Sequence, residues 1–416
     1  MTNPIKGVAV TVTSPLRAFL RAESAGGIVL VAGALAALVW ANGPAADSYA
    51  QFWKQTVTLG GGPAALTHDL RHWVNDGLMA IFFFVIGLEI KRELAVGELQ
   101  DRRAATLPAL AAVGGIAVPA LAFVAIVGGG QALRGWSIPM ATDIAFAVGI
   151  LAMLGRHASA GAKLFLLSVA IVDDILAIGV IAVFYTERID PWWLALAVVG
   201  LLATAGLRRL GVASPWGYLP GGLLVWFATM ESGLHATLAG VALGLLTPAR
   251  PVAGRHVLED LERRLHPLSA FMVVPVFALA NAGVDVRGGA LGEAFGERLT
   301  WAVLLGLVLG KIAGIAGTTY LVRWRRWGTL PADMHAREIL GVAALGGIGF
   351  TVSLFITDLA FDDEALIGAA KVGILTASAA AALIGAALLL TAPAGTGAVS
   401  RRSGRAAPRP EDRRRS

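Results

Sequence analysis

The feature that most limits what this chain can become is the recurrence of long apolar runs from one end to the other. With fuzzy ends they cover 25–41, 70–90, 104–127, 136–154, 162–185, 192–207, 218–230, 233–246, 268–284, 301–322, 339–360 and 366–391. A straight helix needs about 20 apolar residues to cross a bilayer, and several of these runs are shorter than that. Only 15% of the residues are charged and 56% are hydrophobic, whereas a soluble domain carries about 25% charged residues. The mean hydropathy is +0.71. A length of 416 residues would admit two or three soluble domains, but no polar stretch is long enough to be one. The expected fold is therefore an all-α polytopic membrane protein with twelve transmembrane helices. It divides into an N-terminal segment 1–24, a helical domain 25–392 and a C-terminal tail 393–416.

Two places admit another reading. The first run, followed by Ala-rich sequence, also fits a cleaved signal peptide. The stretch 216–246 is interrupted at Glu231 and Ser232, and we read it as two helices joined by a tight turn at Glu231-Ser232-Gly233.

Charge orients the spans. With the N-terminus in the cytoplasm, the outside segments hold only Lys54, Arg71, Arg134, Arg188, Arg287, Arg298 and Lys371 of the 34 basic residues, and Lys311 lies inside a span. The rest fall inside, as the positive-inside rule requires, and the asymmetry survives removal of the Arg-rich tail. Both termini are thus expected in the cytoplasm. The formal charge of +6 comes from these flanks and the tail, so a lipid surface is the expected partner and nucleic acid is not. The chain has no cysteine, which excludes disulfides, thiolate catalysis, iron–sulfur clusters and Cys-based zinc sites.

The first outside loop, 42–69, is the longest. Thr56-Val57-Thr58-Leu59 followed by Gly60-Gly61-Gly62-Pro63 suggests a small hairpin. A lone hairpin is marginal in water, so it should pair with a partner; a disordered loop is the alternative. The tail from Pro393, rich in Gly, Ser, Pro and Arg, reads as disordered and suited to anionic lipid.

Ionisable groups at membrane depth are costly and are usually kept for function. Four stand well inside apolar runs: Asp143, the adjacent pair Asp173 and Asp174, and Lys311. A lone intramembrane Asp also serves as a partner for a helix end. Two adjacent ones double a cost of roughly 2.5–3.5 kcal/mol each, which a structural role does not explain. Neighbouring helical positions point about 100° apart, so Asp173 and Asp174 have different surroundings. A carboxylate in a dry cavity binds its proton more tightly than in water, and a nearby cation opposes that shift. Such a group holds either a proton or a small cation, the minimal chemistry of exchange between the two. A hard cation takes oxygen ligands, which Asp, Thr142 and freed backbone carbonyls supply. Lys311 neutralises a carboxylate, Asp173 or Asp174, or sits against the carbonyl end of a broken helix; snorkelling is the remaining option.

Two spans look interrupted. In the fourth, Pro139 and the pair Thr142-Asp143 fall mid-run, and proline disfavours helix before it. In the eleventh, Gly346, Gly347 and Gly349 fall mid-run, which also fits close contact between packed helices. Interruptions at matching places in two halves point to a transport site at midplane, with spans three to five and ten to twelve as inverted repeats.

Six segments in this order resemble the NhaA family of sodium/proton antiporters, over roughly 24–391. They are Gly87-Leu88-Glu89-Ile90-Lys91-Arg92-Glu93-Leu94, Ala141-Thr142-Asp143-Ile144-Ala145-Phe146, Ile171-Val172-Asp173-Asp174, Ser232-Gly233-Leu234-His235-Ala236-Thr237-Leu238-Ala239-Gly240, Leu265-His266-Pro267 and Gly347-Ile348-Gly349-Phe350-Thr351. The resemblance implies twelve helices with spans four and eleven unwound and crossing. It implies Asp174 as chief cation ligand and Asp173 as its neighbour, able to pair with Lys311. Asp143, beside Thr142, would offset the positive helix ends at the crossing and Lys311 the negative ones. It further implies electrogenic exchange of sodium or lithium for a larger number of protons, activation at alkaline pH and no cofactor. A homodimer held partly by the hairpin is implied, as is retention of the first span. Glu89, Lys91, Arg92, Glu93, His235, Glu262 and His266 would be the pH-regulatory group at the cytoplasmic mouth, although charges at helix ends also fit a solvated basic flank. The family's common proline after the lysine is absent here, where Ile312-Ala313-Gly314 follows Lys311, so local helix shape there is open.

Other chemistries use intramembrane acids. An aspartyl protease would normally carry Gly-x-Gly-Asp, which does not occur here. A cation channel would conduct without coupling. A proton-coupled carrier of a small organic solute would need side chains for a larger substrate.

Overall fold

A computed structural model describes residues 14–60, 66–186, 188–212, 214–252, 254–328, 330 and 334–391. The tail 393–416 and the start of the N-terminal segment lie outside these residues. Among the described residues nine helices are long and apolar enough to cross a membrane: α1 (Ser14–Asn42, apolar over Ala25–Asn42), α3 (Leu70–Val96), α4 (Arg102–Val127), the interrupted stretch Gln131–Met153, α6 (Ala160–Phe184), α7 (Pro191–Arg209), α10 (Val257–Asn281), α11 (Arg298–Trp324) and α14 (Glu364–Leu390). Taken together, α12 (Ala336–Leu345) and α13 (Phe350–Ala360), bent by 42° where they meet, are also long and apolar enough. The chain is a multi-pass membrane protein. Two further helices are short, α8 (Leu219–Glu231) with 13 residues and α9 (Thr237–Leu246) with 10. At 1.5 Å per residue they reach roughly 20 and 15 Å, less than the hydrocarbon core of about 30 Å.

Polar residues start these helices where the sequence changes character. Asp69, Asp101, Ser159, Asp190 and Asp363 each accept a backbone N–H in the first turn of α3, α4, α6, α7 and α14. Such a cap satisfies one of the donors a helix start leaves orphaned. The expected turn between α8 and α9 runs from Ser232 to Ala236, and Gly233 has φ +84°. A Cβ there would sit 1.9 Å from the Arg188 carbonyl oxygen, so both conformation and space call for glycine. Between α1 and α3 lie α2 (Ala46–Trp53) and two antiparallel strands, β1 (Thr56–Leu59) and β2 (Leu66–Asp69), in the register Thr56↔Asp69 to Leu59↔Leu66. We call this end of the bundle the hairpin end.

Small residues set the packing near the centre. A Cβ on Gly114 of α4 would lie 2.6 Å from the Gly314 carbonyl of α11, so the two backbones touch as small-residue pairs allow. The turn Gly306–Gly310 just before Lys311 is π-helical, a distortion that often marks functional positions.

One expectation about the flanks is corrected. Lys371 is not in a solvated segment but within α14, with its side chain 5% exposed and paired with Asp358 Oδ1 at 3.2 Å. The buried carboxylate draws the amine inward, which the apolar pattern alone does not disclose.

Candidate functional site

Both interrupted spans break where glycine, proline and polar residues had suggested. The first is a 3-10 segment, Gln131–Met140, followed by extended residues 141–143 and then α5 (Ile144–Met153). The second leaves 346–349 outside α12 and α13. The breaks lie against each other. The Asp143 N–H donates to the Ile348 carbonyl at 2.6 Å, and the Ser353 hydroxyl donates to the Ile138 carbonyl at 2.8 Å. The three glycines serve close approach, since none has positive φ. A Cβ on Gly347 would sit 2.2 Å from the Leu307 carbonyl, one on Gly346 2.8 Å from Ile315 Cδ1, and one on Gly349 3.2 Å from the Ala141 carbonyl.

Asp143 is shared between two helix starts. Its Oδ1 accepts the Phe146 N–H of α5 at 3.0 Å, and its Oδ2 accepts the Thr351 N–H and hydroxyl of α13 at 3.1 and 2.7 Å. A carboxylate there meets the positive ends of two macrodipoles at once. Thr351, in the last of the six motif segments, takes its role from the crossing.

The paired aspartates of α6 differ sharply. Asp173 is 0% exposed. Its Oδ2 forms an ion pair with Lys311, itself 0% exposed, and accepts the Thr142 hydroxyl at 2.8 Å. Lys311 also donates to Thr142 Oγ1 at 3.1 Å. The Thr142 hydroxyl reaches the Gly346 carbonyl at 2.8 Å as well, and its single hydrogen serves one acceptor at a time. Thr142 therefore joins the Asp173–Lys311 pair to the end of α12. Asp173 Oδ1 is buried without a partner among the described residues.

Asp174, one residue on, faces a narrow cavity of ≈ 50 Å³ that it lines with Thr142, Asp143, Glu89, His266, Ser269 and Thr351. A water needs about 10–15 Å³ by the same measure, so there is room for a small, partly hydrated cation. Among the described residues the hydrogen bonds found include none to the Asp174 carboxylate. The lining residues bring carboxylates and hydroxyls, ligands that a hard cation takes.

Glu89 and His266 sit at this cavity with His266 Nε2 4.0 Å from Glu89 Oε1. Beside them Arg92 pairs with Glu262 and, at 3.4 Å, with Glu93. Lys91 is on the same turn of α3, half-buried. His235 does not belong with them. It lies at the hairpin end, where Nε2 is 2.8 Å from the Tyr185 carbonyl oxygen, in an open cavity of ≈ 680 Å³ with His68, His72, Asp76, Arg188 and Glu231. The reason is topological: α8 ends at the hairpin end, and His235 follows in the turn.

The sequence reading missed Asn75, Asp358 and Lys371, which form a second polar junction. Asn75 Nδ2 donates to Asp358 Oδ2 at 3.1 Å, and Asn281 Nδ2 donates to Asn75 Oδ1 at 2.8 Å. A carboxylate and an amine inside apolar runs were the available signal, but each stood near a run end.

Comparison with known proteins agrees with this geometry. Residues 17–389 match the family described as Na+/H+ antiporter 1. The chain is 43% identical to "Na(+)/H(+) antiporter NhaA 2" of Pseudomonas putida, over 89% of this chain and 91% of that one. It is 45% identical to "Na(+)/H(+) antiporter NhaA 3" of Frankia alni, over 91% and 89%. It is 47% identical to "Na(+)/H(+) antiporter NhaA" of Acidovorax, over 90% and 91%. Two crossed, interrupted spans around buried aspartates, in a chain matched almost end to end, lead to one assignment: this protein belongs to the NhaA family of Na+/H+ antiporters.

Proposed function

We propose that this chain exchanges sodium ions for protons across the bacterial inner membrane, with Asp174 as the shared binding group. The observation that carries the reading is the asymmetry between neighbours: Asp173 is engaged by Lys311 and Thr142, while Asp174 faces the cavity. A buried carboxylate facing a small polar cavity takes up either a proton or a cation, and binding one expels the other. Sodium and lithium both suit hydroxyl and carboxylate oxygens. The narrowness of the cavity favours such a cation over an organic solute.

The finer reading follows from the resemblance. More protons enter than sodium ions leave, so transport is electrogenic, and it is switched on at alkaline pH. The short helices α8 and α9 complete twelve spans, with spans three to five and ten to twelve as inverted repeats. Both termini face the cytoplasm, in keeping with the distribution of basic residues. Two copies associate partly through β1 and β2, and the basic tail touches anionic lipid.

The test uses vesicles holding a preset proton gradient. Added sodium should collapse the gradient with the unaltered protein and not with Asp174→Asn. Retained exchange in Asp174→Asn would remove that residue from the centre of the mechanism. No response to sodium or lithium at any alkaline pH would defeat the function.

A further inference from the structure

We propose that Asn75 and Asp358 form a clasp that closes the hairpin end of the ion path, and that each transport cycle opens it; this rests on the antiport reading. Helices α3 and α13 run past each other in opposite directions, and their side chains occur in matching layers. Phe82, Val85, Ile86 and Glu89 of α3 and Thr351 and Val352 of α13 line the cavity at Asp174. One layer nearer the hairpin end, the rings of Phe83 and Phe355 stand 5.3 Å apart, exposed by only 3% and 1%. Beyond this aromatic plug comes the hydrogen bond from Asn75 to Asp358. Along α3 and α13 both layers lie between the cavity at Asp174 and the hairpin end.

The chemistry of the junction suits a contact that breaks and reforms. Lys371 of α14 pairs with Asp358 Oδ1, so the carboxylate keeps a countercharge when Asn75 lets go. Asn75 in turn keeps Asn281 of α10. Each side therefore retains a polar partner, and only one neutral-to-charged hydrogen bond is lost. Asn281 Oδ1 is buried without a partner among the described residues, which a permanent core junction would ordinarily satisfy.

The chain has no cysteine, so single thiols report cleanly. Met79, four residues past Asn75 on α3, is 0% exposed and makes the reporter Met79→Cys. In vesicles, a membrane-impermeant thiol reagent applied at the hairpin face should modify it at least about ten-fold faster when Asn75→Ala is added, the factor expected for losing one charge-assisted hydrogen bond. An unchanged rate would overturn the clasp. In a second arm, Asn75→Cys with Asp358→Cys is bridged by a short bis-methanethiosulfonate reagent. Sodium-driven proton movement should stop and return after reduction; full exchange while bridged would overturn the proposal. If the unbridged and unaltered proteins show no exchange at all, the antiport reading fails, while the reactivity arm still decides whether the clasp exists.

Discussion

Asp143 and Thr351 meet where the two interrupted spans cross, and one carboxylate oxygen receives both the backbone N–H and the hydroxyl of Thr351, at 3.1 and 2.7 Å. With the other oxygen capping α5 through Phe146, a single side chain closes two helix starts. This explains why an ion at membrane depth is tolerated here: the two N-termini supply the positive field that water would otherwise provide.

Removing that charge should loosen the crossing. Asp143→Ala loses both caps, each worth about 1 kcal/mol, and a favourable dipole interaction of up to about 2 kcal/mol. Asp143→Asn keeps one acceptor and should lie between. Melting of purified protein in detergent is expected to rank wild type above Asp143→Asn above Asp143→Ala, and equal melting would contradict the shared-cap role.

The Asp173–Lys311 pair makes a second prediction. Both side chains are fully buried, so removing one leaves the other as an uncompensated charge, a loss of about 3–5 kcal/mol in comparable cases. Lys311→Met and Asp173→Asn should each destabilise strongly. The double variant should cost much less than their sum, and additive losses would show that the two do not act as a pair.

Much of this arrangement was legible in the sequence because bilayer insertion makes polar residues conspicuous. Asp143, Asp173, Asp174 and Lys311 stood out as ions in apolar runs, and Pro139 and the Gly346–Gly349 region stood out as breaks. What stayed hidden depends on long-range contact. Asn75 and Asn281 are 206 residues apart and are uncharged, so nothing local tied them together. Lys371 looked like a flank because its neutralising partner, Asp358, belongs to another helix. His235 was grouped with Glu89 and His266 by resemblance, although the span order alone sends it to the opposite end.

The glycines of the second break give a prediction with an internal control. A Cβ on Gly347 would approach the Leu307 carbonyl oxygen to 2.2 Å, and backbone cannot yield cheaply, so Gly347→Ala should push α11 from the crossing and cost roughly 1–3 kcal/mol. Gly368, within α14, has nothing within 4 Å of its would-be Cβ. There Gly→Ala should be neutral or stabilising by up to about 1 kcal/mol. Exchange rates should follow the same order, with Gly347→Ala impaired and Gly368→Ala near wild type.

The mouth of the cavity carries the prediction about pH. His266 and Glu89 approach to 4.0 Å from α10 and α3, and Arg92, Glu93 and Glu262 surround them. In its protonated form His266 attracts Glu89, which holds α10 and α3 together over the cavity that Asp174 lines. In its neutral form the attraction is lost, so the sign favours a freer mouth as pH rises. His266→Gln cannot acquire the charge and should sustain sodium-driven proton movement further into the acid range than the unaltered protein. Measuring exchange from acid to alkaline pH in vesicles checks this, and superimposable profiles would take His266 out of the regulation.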